Sequence, residues 1–161
     1  MTVVSDTGPL IALAKVDRLS LLEQLFEQGF IPPIVHRELL AKSGPESARL
    51  DNALSGFVEV TQVSSLTPEV ESATRRLDPG ERQAVALSYL HNTLLLIDDR
   101  LGRDAARRLD LALTGTIGVL IRAKEAELIP AVCPLLEEMR TSGYWLSDDI
   151  LEVAASLSGE D

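Results

Sequence analysis

Four widely separated places in the chain carry carboxylates where chemistry could gather: Asp6, Glu38, Glu81 and the adjacent pair Asp98 and Asp99. Asp6 closes the short β-branched run Thr2-Val3-Val4 and is followed at once by Thr7-Gly8-Pro9 and an apolar stretch, Leu10 to Ala14. Asp98 and Asp99 close a second run, Leu94-Leu95-Leu96-Ile97. A strand that is apolar at every position is buried on both faces, and in open α/β sheets ligands bind beyond the carboxyl ends of the strands. Acids brought together there cannot all ionise unaided, because like charges raise one another's pKa unless a cation sits between them. Carboxylate oxygens suit Mg2+ or Mn2+. An ion of that kind lowers the pKa of water and steadies the charge on a phosphate under attack, so the chemistry that follows is metal-dependent phosphodiester hydrolysis.

Each acid also has a plainer reading. Asp6 before Gly-Pro fits a helix cap, since its oxygen can accept from unpaired backbone N–H groups and Pro is favoured in a first turn. Glu38 follows Ile34 by four residues and Val35 by three, which predicts that it shares their inward face. It could there pair with an arginine or lie at the rim of the core. Asp78 and Glu81 have the spacing of a capping box, in which Glu81 would reach back to the cap's own N–H. Yet Glu81 also precedes Ala84 and Val85 on the packed side, and Gly80 beside it leaves room for close approach. Either aspartate of the 98–99 pair could cap the helix that follows. Arg100, Arg103 and Arg107 recur three and four apart, as a solvated basic stripe does.

The elements that must position these residues alternate strand and helix. Gly29-Phe30-Ile31 predicts a brief strand before Pro32, and Pro33 opens a helix over 34–42. Phe57 to Thr61 alternates as a strand, Thr67-Pro68-Glu69 opens a helix, and Pro79 to Tyr89 predicts another behind an Asp78 cap. Leu111 to Thr114 predicts a last strand, followed by a helix that Thr116 could cap. Two amphipathic helices, over 131–140 and 150–157, complete the chain, with Ser147-Asp148-Asp149 capping the second. Trp145 reads as core or an oligomer contact. His36 and His91 have no partner at metal-ligand spacing, and Cys133 sits among apolar neighbours as a small packed residue.

With 161 residues, 45% hydrophobic and 25% charged, the chain suits one domain spanning 1–161 with a substantial core. A formal net charge of −10 excludes coating nucleic acid by bulk attraction, so any polyanion must be met locally. No apolar run approaches the roughly 20 residues of a membrane helix, and the start does not read as a signal peptide, which predicts a cytoplasmic protein without a membrane role.

Five stretches together resemble the PIN-domain ribonucleases: Asp6-Thr7-Gly8-Pro9-Leu10-Ile11, Ile31-Pro32-Pro33 through Glu38, Leu77-Asp78-Pro79-Gly80-Glu81, Leu95-Leu96-Ile97-Asp98-Asp99 through Gly102-Arg103, and Gly115-Thr116-Ile117-Gly118-Val119-Leu120. The likeness is to the branch with such a first motif, among toxins of type II toxin–antitoxin systems, and covers almost the whole chain. It implies an α/β fold with a twisted parallel sheet sandwiched between helices, and an endoribonuclease dependent on Mg2+ or Mn2+. It also implies an RNA substrate, an antitoxin that blocks the site, and a homodimer. By motif match Asp6, Glu38 and Glu81 are the first three acids, with Asp6, Glu81 and the 98–99 pair holding metal. Many relatives carry the last acid in a Thr-x-Asp pattern that this chain lacks; Asp98 at the strand end is favoured, with Asp99 as the alternative. Relatives often have Asp at the third position, so Glu81 implies looser or water-mediated metal contact. In this setting Arg100 and Arg103 are expected to meet RNA phosphates, since arginine's planar fork matches phosphate oxygens.

Two other functions fit parts of the pattern. A noncatalytic PIN-like interaction module would keep the fold without cleavage. An aspartyl phosphatase would use Asp6 as nucleophile, but such enzymes want a second Asp two residues later, where this chain has Gly8. A Rossmann dinucleotide site would need a Gly-x-Gly-x-x-Gly turn, which is absent.

Overall fold

The computed structural model describes residues 1–161 and is built on a five-stranded sheet in which every neighbouring pair runs parallel. In chain order the elements are β1 (Thr2–Ser5), α1 (Thr7–Lys15), α2 (Ser20–Leu25), β2 (Gln28–Ile31), α3 (Pro33–Leu40), α4 (Pro45–Ser55), β3 (Val58–Val60), α5 (Pro68–Ala73), α6 (Pro79–His91), β4 (Leu94–Leu96), α7 (Arg100–Arg108), β5 (Leu113–Thr114), α8 (Thr116–Glu125), α9 (Cys133–Thr141) and α10 (Asp148–Ser158). Parallel strands need crossover connections, and here helices supply each of them.

The strand order is β3-β2-β1-β4-β5. β1 is therefore central, and the chain winds away from it in one direction through β2 and in the other through β4 and β5. The gap between the carboxyl ends of β1 and β4 is the switch point at which open parallel sheets hold their ligands. Ser5 pairs with Leu96, and the Asp6 N–H donates to the Leu96 carbonyl at 2.9 Å, so the residues just past both strands lie side by side.

Alternation along the strands divides the core in two. Val3, Leu94 and Leu96 point into the larger apolar cluster, with Ile31, Val58, Leu10 and Leu13 of α1, Leu120 of α8 and Met139 of α9. Val4, Leu95 and Ile97 point the other way, against Val85 and Leu87 of α6 and Ala105 and Ala106 of α7. Leu95, fully buried in the second cluster, shows the energy involved: cutting such a side chain to Ala costs about 2–5 kcal/mol.

Local departures from expectation have identifiable causes. The helix opened at Thr67-Pro68-Glu69 is short: α5 stops at Ala73, where Thr74 turns its hydroxyl back to the Val70 carbonyl at 2.6 Å. Gly115, not Thr116, occupies the cap position of α8; Thr116 is drawn into the first turn. Trp145 is 79% exposed, not core, because its neighbours Tyr144 and Leu146 take the inward positions. No helix is long and apolar enough to cross a membrane.

Candidate active site

Asp6 stands in the cap position of α1, yet its carboxylate makes no capping hydrogen bond to the helix. It is only 8% exposed and faces the other acids. Burial raises its pKa from 3.8 to about 7; the Thr7 N–H offsets this in part, and the nearby charges of Asp78, Glu38 and Asp99 add to it. The plain capping reading of Asp6 therefore does not hold.

α3 brings Glu38 to the rim. Glu38 is exposed, not inward as its spacing from Ile34 and Val35 predicts, and Ile34 on the same side of α3 is itself only half-buried. Thr7 Oγ1 donates to Glu38 Oε2 at 3.1 Å, which ties the start of α1 to α3. The opposite oxygen of Glu38 lies against the Cα of Gly80, where a Cβ would collide with it.

α6 contributes two acids. Asp78 caps it, Oδ1 accepting from the Glu81 N–H at 2.8 Å. The reciprocal half of the capping box is missing: the Glu81 carboxyl lies toward Asp78 and Asp99, close enough for carboxyl-to-carboxyl hydrogen bonds that require a proton on one partner. Burial first, then these two neighbours, raise the Glu81 pKa from 4.5 to about 9. Asp78 is the member of this cluster that sequence reasoning treated only as a cap. The signal was its position three residues before Glu81, which puts both on one side of the first turn.

β4 delivers the adjacent aspartates to different places. Asp99 caps α7, Oδ2 accepting from the Gly102 N–H at 3.1 Å, and its charge bears on both Asp6 and Glu81. Asp98 is engaged elsewhere. Its Oδ1 accepts from the Thr116 N–H at 2.8 Å, and its Oδ2 accepts from Thr116 Oγ1 and from the Tyr144 hydroxyl, both at 2.6 Å. Burial and the Asp98 charge push the Tyr144 pKa upward, so the phenol stays a donor. Asp6, Glu38, Asp78, Glu81 and Asp99 thus bear on one another as like charges, and Asp98 lines the same cleft as Asp6 and Asp99 while hydrogen-bonded to its wall.

Of the basic stripe, Arg100 and Arg103 line the same cleft as Asp6 and Asp99, whereas Arg107 pairs with Asp104 at 3.2 Å on the surface. Arg103 Nη1 donates to the Ile97 carbonyl at 2.9 Å, so its guanidinium is fixed at the end of β4 while Arg100 is exposed. The cleft, about 1010 Å³, continues past Thr116 and Tyr144 to Trp145 and the outer face of α10.

The donor set is all carboxylate oxygen, which suits a hard divalent cation; burial first and the neighbouring acids second raise the pKa values of Asp6 and Glu81, and a cation would offset both effects. The acids nevertheless present no ready-made cage: no three His, Cys, Asp or Glu side chains stand at the spacing that holds a metal ion. Binding would have to draw the longer side chains, Glu38 and Glu81, inward.

A family model described as a PIN domain matches residues 2–160, nearly the whole chain. No individual curated protein matches it. PIN domains are generally nucleases of the hydrolase class, and they typically use divalent metals. A five-stranded parallel sheet between helices, acids at its switch point and a match from end to end agree on one assignment: this chain belongs to the PIN-domain family.

Proposed function

We propose that this protein is a metal-dependent endoribonuclease that hydrolyses RNA phosphodiester bonds and serves as the toxin of a toxin–antitoxin pair. The observation that supports it most is the gathering of Asp6, Glu38, Asp78, Glu81 and Asp99 around the ends of β1 and β4, with two of them held above their ordinary pKa by their surroundings. Asp6, Glu81 and Asp99 would hold Mg2+ or Mn2+, with Glu38 and Asp78 nearby. When bound, the ion supplies Lewis acidity, making water a better nucleophile and offsetting charge on the phosphate. The chain's own residues supply the rest. Arg103, preset by Ile97, and the exposed Arg100 would orient the phosphate backbone, and Glu38, tethered by Thr7, would take a proton from the attacking water. Asp98 keeps Thr116 and Tyr144 in place and so shapes the cleft wall.

The toxin reading carries two protein partners. An antitoxin would cover the cleft, and a second copy of the chain would form a homodimer. Ile150, Val153 and Leu157, exposed in one row along α10, are the apolar surface that either would bury.

The open spacing of the acids is what favours the second reading, a noncatalytic PIN-like module. Purified protein incubated with RNA in Mn2+, beside Asp6→Asn, separates the two. Cleavage by the parent chain that Asp6→Asn loses supports the ribonuclease. Equal cleavage by both rejects this site, and no Mn2+ uptake dependent on Asp6 favours the module.

A further inference from the structure

We propose that Trp145 is a stacking platform for an unpaired base of the RNA; this rests on the ribonuclease reading above. Trp145 is the chain's only tryptophan and its most exposed large apolar side chain, at 79%. The exposure is enforced by the residues on either side. Tyr144 is pinned by its hydroxyl to Asp98 at 2.6 Å and by its N–H to the Met139 carbonyl at 3.0 Å. Leu146 is buried in the core, and Gly143 turns the chain with φ of +101°. With the chain fixed on both sides, the indole projects at the edge of the cleft.

The cleft that Trp145 edges is also lined by Asp6, Asp99, Arg100 and Arg103. A strand whose phosphate lies at the acids, with Arg100 and Arg103 on its backbone, therefore continues along a surface that offers one flat aromatic face. Every nucleobase has a π-face that can stack on an indole, and losing one such contact weakens binding about 5- to 150-fold. In a duplex the bases stack on each other, so only unpaired ones can use the platform. The chain's net charge of −10 makes such a contact more valuable, because bulk attraction to phosphate is missing. The aliphatic row of α10 lacks this flat face and is left to protein partners.

The lone tryptophan gives a direct readout. Full-length Asp6→Asn protein in Mg2+ is titrated with a single-stranded oligoribonucleotide, with an abasic strand of equal length, and with the duplex, while Trp145 emission is followed. Quenching by the single strand, absent with the abasic strand and the duplex, is expected. In the otherwise unchanged chain, Trp145→Leu should raise KM for the single strand about 5- to 150-fold and Trp145→Phe by less, while both cut the abasic strand as the parent does. Melting curves confirm that the variants fold. The proposal is overturned if emission stays constant while a gel shift shows the single strand bound, if Trp145→Leu binds and cuts like the parent, or if emission responds only to protein concentration. The last result would place Trp145 between two copies of the chain. Quenching without cleavage in any metal would reject the nuclease and leave the stacking site standing.

Discussion

Asp98 and Asp99 are neighbours in the chain, yet their carboxylates do opposite jobs: Asp98 accepts three hydrogen bonds from Thr116 and Tyr144, while Asp99 caps α7 and adds its charge to Asp6 and Glu81. The two should separate on mutation. Asn caps as well as Asp does, so Asp99→Asn should leave the fold intact and remove RNA cleavage and Asp6-dependent Mn2+ binding. Asp98→Ala should instead cost about 1–3 kcal/mol of stability, from hydrogen bonds to a charged group, with a weaker effect on Mn2+ affinity. Denaturant unfolding and metal titration of both variants check this.

The acid cluster makes metal-free stability depend on pH. Asp6 and Glu81 have folded pKa values of about 7 and 9, above their ordinary 3.8 and 4.5, so the folded state holds their protons more tightly than the unfolded one. Their contribution is fully present below pH 4 and is lost as pH rises through 7 and then 9. Melting temperature in EDTA should fall across that window. Mn2+ should restore it more at pH 8.5 than at pH 5, with proton release on binding.

Gly80 offers a separation of activity from stability. A Cβ there meets the carboxylate of Glu38, the free end of a flexible side chain, and next Asp78 Oδ1 at 3.6 Å. Gly80→Ala should leave stability unchanged or raise it by up to about 1 kcal/mol, from helix propensity. Cleavage should fall because Glu38 is displaced. A variant that melts higher yet cuts slower is the expected result.

Glu160 works in the opposite pH direction. It binds Lys124 Nζ and the Val132 N–H, each at 2.8 Å, and the Cys133 N–H at 2.9 Å, which fastens the chain's last residues to the start of α9. Lys124 and those N–H groups hold its pKa down at about 2. Its contribution is therefore present above pH 4.5 and lost as pH falls toward 2. Glu160→Gln should cost about 1–2 kcal/mol at pH 7, measured by urea unfolding, and almost nothing near pH 2.

The strands and most helices were legible because runs such as Leu94 to Ile97 and caps such as Asp78 and Ser147 carry their own physics. The acids were legible as positions but not as directions. Alternation along β4 assigns Leu95 and Ile97 to one face, but the strand ends at Leu96, so it gives no rule for which aspartate turns to the cluster. The favoured ligand, Asp98, is the one the structure ties to Thr116 and Tyr144. Asp78 was hidden by its second role as a cap. The core alternative for Trp145 failed because residue type predicts burial only on average, and here Tyr144 and Leu146 occupy the inward positions on either side of it.

The central place of β1 has a consequence for biosynthesis. The first strand to leave the ribosome pairs with β4, which is made only after Leu94, and Tyr144, which secures Asp98, comes later still. A nascent chain that has released only its first half carries Asp6, Glu38 and Asp78 without Glu81, Asp99 and the cleft wall. The cleft is therefore complete only once the chain past Tyr144 has been made, a delay written into the strand order.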